Sequence, residues 1–267
     1  MTRKPPTQPA EQPPKTRVRI ARSLKPAIFE PVERQPAYGK VAAAIEQKIL
    51  QRSLSQGDPL PSETELARQF GVNRSTVREA VRRLESAGLV GRAVGSKRLR
   101  VTRPGQAATA SSLSRALVLD DVTFIELWEA MLAIAPRTAA LAAEHARPEN
   151  LERLELCIQR VEDARSSESA VAGVVDFFGS LAATSANRVL VLAMQPVTRL
   201  LSPSLRRMID RVPQGRSRIV VAQRCIVEAL RKGDAAEAQG WMTRHVQDFR
   251  RGYEIAGIAL DTRAADS

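Results

Sequence analysis

Arg74, Ser75 and Arg78 stand in the run NRSTVREAVRRLE that begins at Asn73, together with Arg82 and Arg83. At 3.6 residues per turn, Val77, Ala80, Val81 and Leu84 fall on one helical face, which leaves the arginines and Ser75 on the other. The chemistry this offers is nucleic-acid recognition. An arginine fork pairs with O6 and N7 of guanine. A helix entering a major groove by its N-terminus brings Arg74 and Ser75 nearest the base edges, with Arg78 one turn deeper. Asn73 and Thr76 suit capping or phosphate contact. Farther on, Lys97 and Arg98 sit at a Gly95-Ser96 turn with Arg92 and Arg100 alongside, and these suit phosphate or minor-groove contact. Arg82 has an alternative use, an ion pair with Glu79 or Glu85 of its own helix.

Such side chains need elements to aim them, and the flanking sequence supplies a set. From Tyr38, the residues Val41, Ala44, Ile45, Lys48 and Ile49 recur at helical spacing up to Gly57. Ser62 with Glu65 three residues later predicts a capping box. The short helix it opens is predicted to bury Leu66, Ala67 and Phe70. Gly71 stands where a tight turn needs positive φ, Asn73 is placed to cap the arginine-bearing helix, and Gly88 to close it. Strands over Leu89–Ala93 and Leu99–Thr102 complete a hairpin. Helix, helix-turn-helix and hairpin in that order make a winged helix-turn-helix over residues 38–104.

Charge is distributed to match. Of 41 Lys+Arg and 29 Asp+Glu in 267 residues, 21 basic and 9 acidic side chains lie in residues 1–104. The remainder carries 20 of each, so the whole formal charge of +12 belongs to the first 104 residues. Half of the sixteen prolines fall within residues 1–36, and residues 1–37 read as a basic, Pro-rich disordered arm. Two uses of that arm stand side by side: contact with DNA, or a solubilising extension. Residues 105–260 show helical stripes without strands, at 121–145, 149–164, 168–185, 188–201, 214–231 and 234–256. Stripes such as Leu151, Leu154, Ile158 and Val161, or Val189, Leu192 and Val197, require a bundle core. The expected fold class is therefore mainly α, a winged helix-turn-helix followed by an all-helical antiparallel bundle.

Several function classes are excluded by composition. No run of 18 apolar residues exists to cross a membrane, and prolines occupy the place of a signal peptide's apolar core. The expected location is cytoplasmic and nucleoid-associated. Two cysteines, Cys157 and Cys225, and two histidines give no disulfide framework, no zinc spacing and no catalytic constellation. An enzyme is not expected, and neither is a bound metal or other cofactor.

The stretch LPSETELA from Leu60 with GVNRSTVREAVRRLESAGLV from Gly71 resembles the DNA-binding domain of GntR-type bacterial transcriptional regulators. That resemblance implies base and phosphate contacts at Asn73, Arg74, Ser75 and Arg78, and a wing glycine at Gly95. Many members carry an arginine directly after PSE where this chain has Thr64, and the usual Gly-Arg-Gly wing tip is replaced by GSKRLRV. The later pieces ELWEAMLAIAPRTAALAAEHA, FFGSLAATSANRVL and CIVEALRKGDAAEAQGWMTRHVQDF resemble the helical FCD domain of the FadR-type branch. Many of those proteins hold a divalent metal on one Asp and three His. Those positions fall here on Val174, Phe178, Gln223 and His245, and a pocket arginine and glutamate fall on Met131 and Ala135.

Val and Phe offer no lone pairs to a metal. Two readings of the altered pocket remain open: retuned for an apolar or acyl-type effector, or packed shut. Met131, Ala135, Val174, Phe178, Gln223 and His245 line either version. The expected activity is sequence-specific regulation of transcription. The expected partners are a double-stranded palindromic operator and a second copy of the chain, paired through the helical domain, with no membrane. Repression follows from the family pattern. The competing expectation is an architectural, weakly specific DNA binder whose helical domain only dimerises.

Overall fold

The computed structural model describes residues 36–92, 95 and 98–264. The arm up to residue 35 and Lys97 therefore lie outside the described residues. The first apolar core is built by α1 (Ala37–Leu50), α2 (Glu63–Phe70), α3 (Arg74–Ser86) and an antiparallel hairpin of β1 (Val90–Arg92) and β2 (Leu99–Val101). Val41 and Ile45 of α1, Leu66 and Ala67 of α2 and the Val77, Ala80, Val81 and Leu84 face of α3 belong to this core, all buried. The hairpin register pairs Val90 with Val101 and Arg92 with Leu99, so Val90, Leu99 and Val101 all turn inward. The segment before α2 joins this sheet. Leu60 N–H donates to Leu99 O and Val101 N–H to Asp58 O, each at 2.9 Å.

Local details depart from the sequence reading in instructive ways. Phe70 is not buried but 36% exposed, because α2 ends there and its last turn lies at the rim of the core. Ser62 Oγ does accept from Glu65 N–H, at 3.2 Å, but the returning half of the capping box is missing. The Glu65 carboxylate is taken by Arg68 and Gln69, whose hydrogen bonds hold its pKa down to about 2. Asn73 occupies the N-cap position of α3 without a side-chain cap bond. Gly71 behaves as expected. At φ +63° it is left-handed, a conformation glycine adopts without penalty, and it turns the chain from α2 into α3.

The second core is all-helical: α4 (Gln106–Leu119), α5 (Phe124–His145), α6 (Pro148–Glu162), α7 (Ser167–Thr184), α8 (Arg188–Arg211), α9 (Gly215–Lys232) and α10 (Ala235–Ile255). α5 lies along α10, tied by the Trp128 indole N–H to Val246 O at 2.8 Å and by Phe124 stacked on Tyr253 at 3.9 Å. Helices α6 and α7 approach so closely at Gly173 that a Cβ there would stand 2.7 Å from Val161 Cγ2.

Two helical expectations are corrected. α4 is a helix where no stripe marked one. α8 runs on past Ser202-Pro203, where the sequence suggested a break, and contains both Pro196 and Pro203. Proline removes a backbone donor from the ladder. The Thr198 hydroxyl donates to Met194 O and the Ser202 hydroxyl to Thr198 O, carbonyls other than those of Leu192 and Arg199 that the prolines deprive of a helical donor. Buried Leu205 and Met208 beyond the second proline pin the extension to the core. The supposed core residues Val189 and Leu192 are instead exposed, on the first turns of α8, and only Val197 of that stripe is buried.

Candidate nucleic-acid interface

The outer face of α3 presents Arg74, Ser75 and Arg78 to solvent, with Thr76 half-buried beside them. Among the described residues neither Arg74 nor Arg78 enters an ion pair or a hydrogen bond. No acidic side chain stands in the first turn of α3. The rigid apolar face beneath means that these two guanidinium groups are aimed by the helix rather than by contacts of their own. Arg82, by contrast, pairs with Glu79 at 2.8 Å within the helix. Arg74 and Arg78 thus stand as two unpaired cations on the first two turns of α3 among the described residues.

Arg92 of β1 is held between two carboxylates, Glu85 of α3 at 2.5 Å and Glu63 of α2 at 3.8 Å. Arg100 donates to Gly57 O at 2.8 Å, which commits it to the sheet edge. Arg92 ties the hairpin to α2 and α3, and Arg100 ties it to the segment that precedes α2. Their partners were not legible in the sequence, since Glu85 and Arg92 come together only once the chain reverses after Gly88. Gly95, at φ +79°, lies exposed at the hairpin turn, and Arg98 follows it, also exposed. Arg74, Arg92, Arg98 and Thr64 line one cleft of about 650 Å³ between the start of α2, the start of α3 and the hairpin. Arg78 does not line that cleft.

In the helical bundle, Met131, Ala135, Val174, Phe178, Gln223 and His245 are all buried, none more than 2% exposed. Phe178 stacks on the His245 ring at 5.9 Å, and Phe249 packs against the same imidazole at 4.6 Å. The interior cavity bounded by Met131, Val174, Phe178, Phe249 and Tyr253 holds about 20 Å³ of space, room for about one water molecule. Ala135, Gln223 and His245 are not among the residues lining it. Both amide atoms of Gln223 and the Nε2 of His245 are buried without a hydrogen-bond partner among the described residues. Burial disfavours the imidazolium and lowers the His245 pKa to about 4. Among the described residues no group of three or more His, Cys, Asp or Glu side chains is placed to hold a metal ion, and no helix is long and apolar enough to cross a membrane.

Comparison with known proteins bears on both units. Residues 37–97 match the family of bacterial regulatory proteins called gntR, and residues 126–248 match the FCD domain. An uncharacterized HTH-type transcriptional regulator of Mycobacterium tuberculosis is 32% identical over 168 residues, which cover 62% of this chain and 69% of that protein. The HTH-type transcriptional repressor NanR of Escherichia coli is 27% identical over 244 residues, 89% of this chain and 91% of NanR. Among solved structures, a Streptococcus agalactiae GntR protein superposes with a TM-score of 0.58 at 26% identity, covering 80% of this chain and 99% of that one.

Proposed function

Since this chain belongs to the gntR family of bacterial regulatory proteins, with an FCD domain after its helix-turn-helix, we propose that it is a homodimeric repressor holding two heads on a short palindromic operator. It is a DNA-binding transcriptional regulator, and neither its family nor its fold is that of a catalyst. The observation that carries the finer reading is the contrast along the basic surface. Arg74 and Arg78 are exposed and engage no described residue, whereas Arg82, Arg92 and Arg100 are committed to intramolecular bonds. In this reading Arg74, Ser75 and Arg78 read base edges. Asn73 and Thr76 meet phosphates, and Gly95, Lys97 and Arg98 bring the wing to the backbone. Arg92 acts mainly by fixing the hairpin's angle.

Division into an arm (1–37), a winged head (38–104) and a helical body (105–260) is supported by the two separate apolar cores. A single head of this size makes a modest interface, and specific affinity is ordinarily reached by two on symmetric half-sites. Pairing is assigned to the helical body, whose formal charge is balanced. The E. coli relative named as a repressor supports the sign of regulation. The body works without a divalent metal in this reading. Val174 and Phe178 bring carbon to two of the four positions, and the remaining Gln223 and His245 are too few for a closed coordination shell. A protein acting this way is cytoplasmic and associated with the nucleoid.

The test is selection of duplexes from a random pool by the full chain, followed by light scattering of the selected complex. Enrichment of a two-fold symmetric site bound by two chains supports the proposal. Binding that enriches no sequence would favour the architectural reading instead, and one chain per duplex would refute the dimer.

A further inference from the structure

Helix α4 is the span that carries the head, and the helical body grips it lightly. At the head end the Thr102 hydroxyl donates to Gly88 O at 2.7 Å. Pro104 lies so close to Gly88 that an added Cβ there would stand 3.2 Å from the proline Cα. The exit of the hairpin is thereby fixed, and Gly105 alone separates it from α4. Along its length α4 packs on α8 but buries only Ala110 and Ser114, with Leu117 and Val118 half-buried. The Ser114 hydroxyl has no partner among the described residues, and Leu119 at the far end is 83% exposed. Two small buried side chains bring little apolar area to resist a swing of the helix.

That far end turns into α5 at Asp121, which is left-handed at φ +56°, a conformation that Asp tolerates better than most residues with a Cβ. The end of the chain returns to this joint. Beyond α10 it buries Ile258 and Ala264 and crosses the joint as an extended segment, in which Arg263 forms an antiparallel β-bridge with Thr123. Phe124 N–H donates to Thr262 O and Ile125 N–H to Leu260 O, each at 2.9 Å. Ala264 N–H donates to Val122 O at 2.8 Å. The Arg263 guanidinium reaches the Asp121 carboxylate at 3.2 Å. Phe124 and Ile125 open α5, where the first N–H groups have no acceptor inside the helix, and the returning segment supplies the acceptors. Each residue from Asp121 to Ile125 therefore meets it. Hinges are ordinarily a few such element-terminal residues that absorb a change in φ and ψ. The root of the segment is tied as well, by Arg211 of α8 donating to Ala256 O at 3.0 Å.

We infer that residues 258–264 form a positioning strap for the DNA-binding head. The strap locks the joint at Asp121, so the direction of α4, and with it the head, is set by the end of the chain more than by packing of α4 on α8. Without the strap α4 and the head swing together as one lever. In the dimer proposed above, the strap holds the spacing of the two heads. That consequence alone rests on the dimer reading.

Nuclear magnetic resonance of the full chain tests this with two variants. Ala264→Pro removes the N–H given to Val122, and Arg263→Glu sets like charge against Asp121, with Arg263→Lys as the charge-keeping control. Amide exchange at Phe124 and Ile125 should quicken about tenfold in Ala264→Pro, the worth of a lost hydrogen bond. It should quicken less in Arg263→Glu and match the parent in Arg263→Lys. Residual dipolar couplings of head and body should fit one alignment tensor in the parent and require two in Ala264→Pro, with couplings inside the body unchanged. Should Ala264→Pro lose the fold, Arg263→Glu decides by the same readouts, since its side chain is exposed. The inference is overturned if neither variant quickens those amides, if the amides are released while one tensor still fits, or if the parent already requires two. On DNA, Ala264→Pro should lose about tenfold in affinity for the selected two-fold site, through the spacing of its heads, and nothing for a single half-site. A parent that selects no two-fold site refutes the dimer, and the couplings then decide the strap without it.

Discussion

The outer face of α3 and the interior of the helical bundle solve opposite problems with the same kind of element. On α3 a buried apolar stripe serves to hold two arginines out in water with nothing described bound to them. In the bundle, side chains at the positions that resemble a polar pocket are turned inward and packed on one another, with Phe178 against His245 and Phe249. The first region stores unspent electrostatic potential and the second has almost none. The proposed dimer would use both: a surface whose charges await a polyanion, and a body rigid enough to keep two such surfaces at a fixed spacing.

The largest effect is expected in the bundle. Phe178→Ala should leave a cavity that the surrounding helices fill only partly, lowering the stability of the helical body by about 3–5 kcal/mol. Urea denaturation would register this as an earlier midpoint. A loss under 1 kcal/mol would mean that the interior is looser than its burial indicates.

Next in size is a pH effect. His245 has its pKa lowered to about 4 by burial, below an unfolded value near 6.5. The unfolded chain therefore binds the proton first. The stability from keeping this group neutral is fully present above about pH 6.5 and is lost as pH falls toward 4. At full extent this is on the order of 3 kcal/mol. Carboxylates titrate over part of the same range, so the quantity to measure is the difference between the parent and His245→Gln. The parent should lose stability relative to the variant as the solution is acidified from about pH 6.5 toward 4, and a constant difference would show that the imidazole is not the group responsible.

On the head, Arg74→Ala and Arg78→Ala should each cost about 1–3 kcal/mol of affinity for the selected site, the worth of a bidentate guanine contact. Binding to random duplex should fall much less. The smallest effect is expected at Arg92, whose side chain is 42% exposed in both of its ion pairs. Glu85→Gln should change stability by no more than about 1 kcal/mol. It should also leave the sequence preference of the selected site intact, because it loosens the hairpin without touching the leading end of α3.

Legibility in the sequence follows the same division. The helix-turn-helix was readable because its determinants are local: Ser62 at a cap, Gly71 at a left-handed turn, and one apolar stripe per helix. Phe70 misled because an apolar residue at the right spacing can still fall at the rim. Helix α4 escaped notice since QAATASSLSRALVL has no clear stripe. It buries only Ala110 and Ser114 and starts from Gly105 without a side-chain cap. The length of α8 escaped because proline punctuates sequence strongly, whereas burial of Leu205 and Met208 overrides it in the fold. On α3, the exposure of Arg74 and Arg78 could be named from spacing alone. The fixing of Arg92 by Glu63 and Glu85 could not, because it depends on chain reversal. The strap of residues 258–264 depends on where the end of the chain meets the start of α5, which no local pattern displays.

In the proposed regulator, specificity resides in Arg74 and Arg78 while the other cations supply structure or salt-sensitive affinity. Its most direct test is the ratio of affinities for selected and random duplex, measured at two salt concentrations for the parent, Arg78→Ala and Arg92→Ala. Arg78→Ala should lower the ratio tenfold or more and leave the salt dependence nearly unchanged, whereas Arg92→Ala should preserve the ratio. That role for Arg78 would be contradicted if Arg78→Ala weakened both duplexes equally and reduced the salt slope by about one, the signature of a phosphate contact.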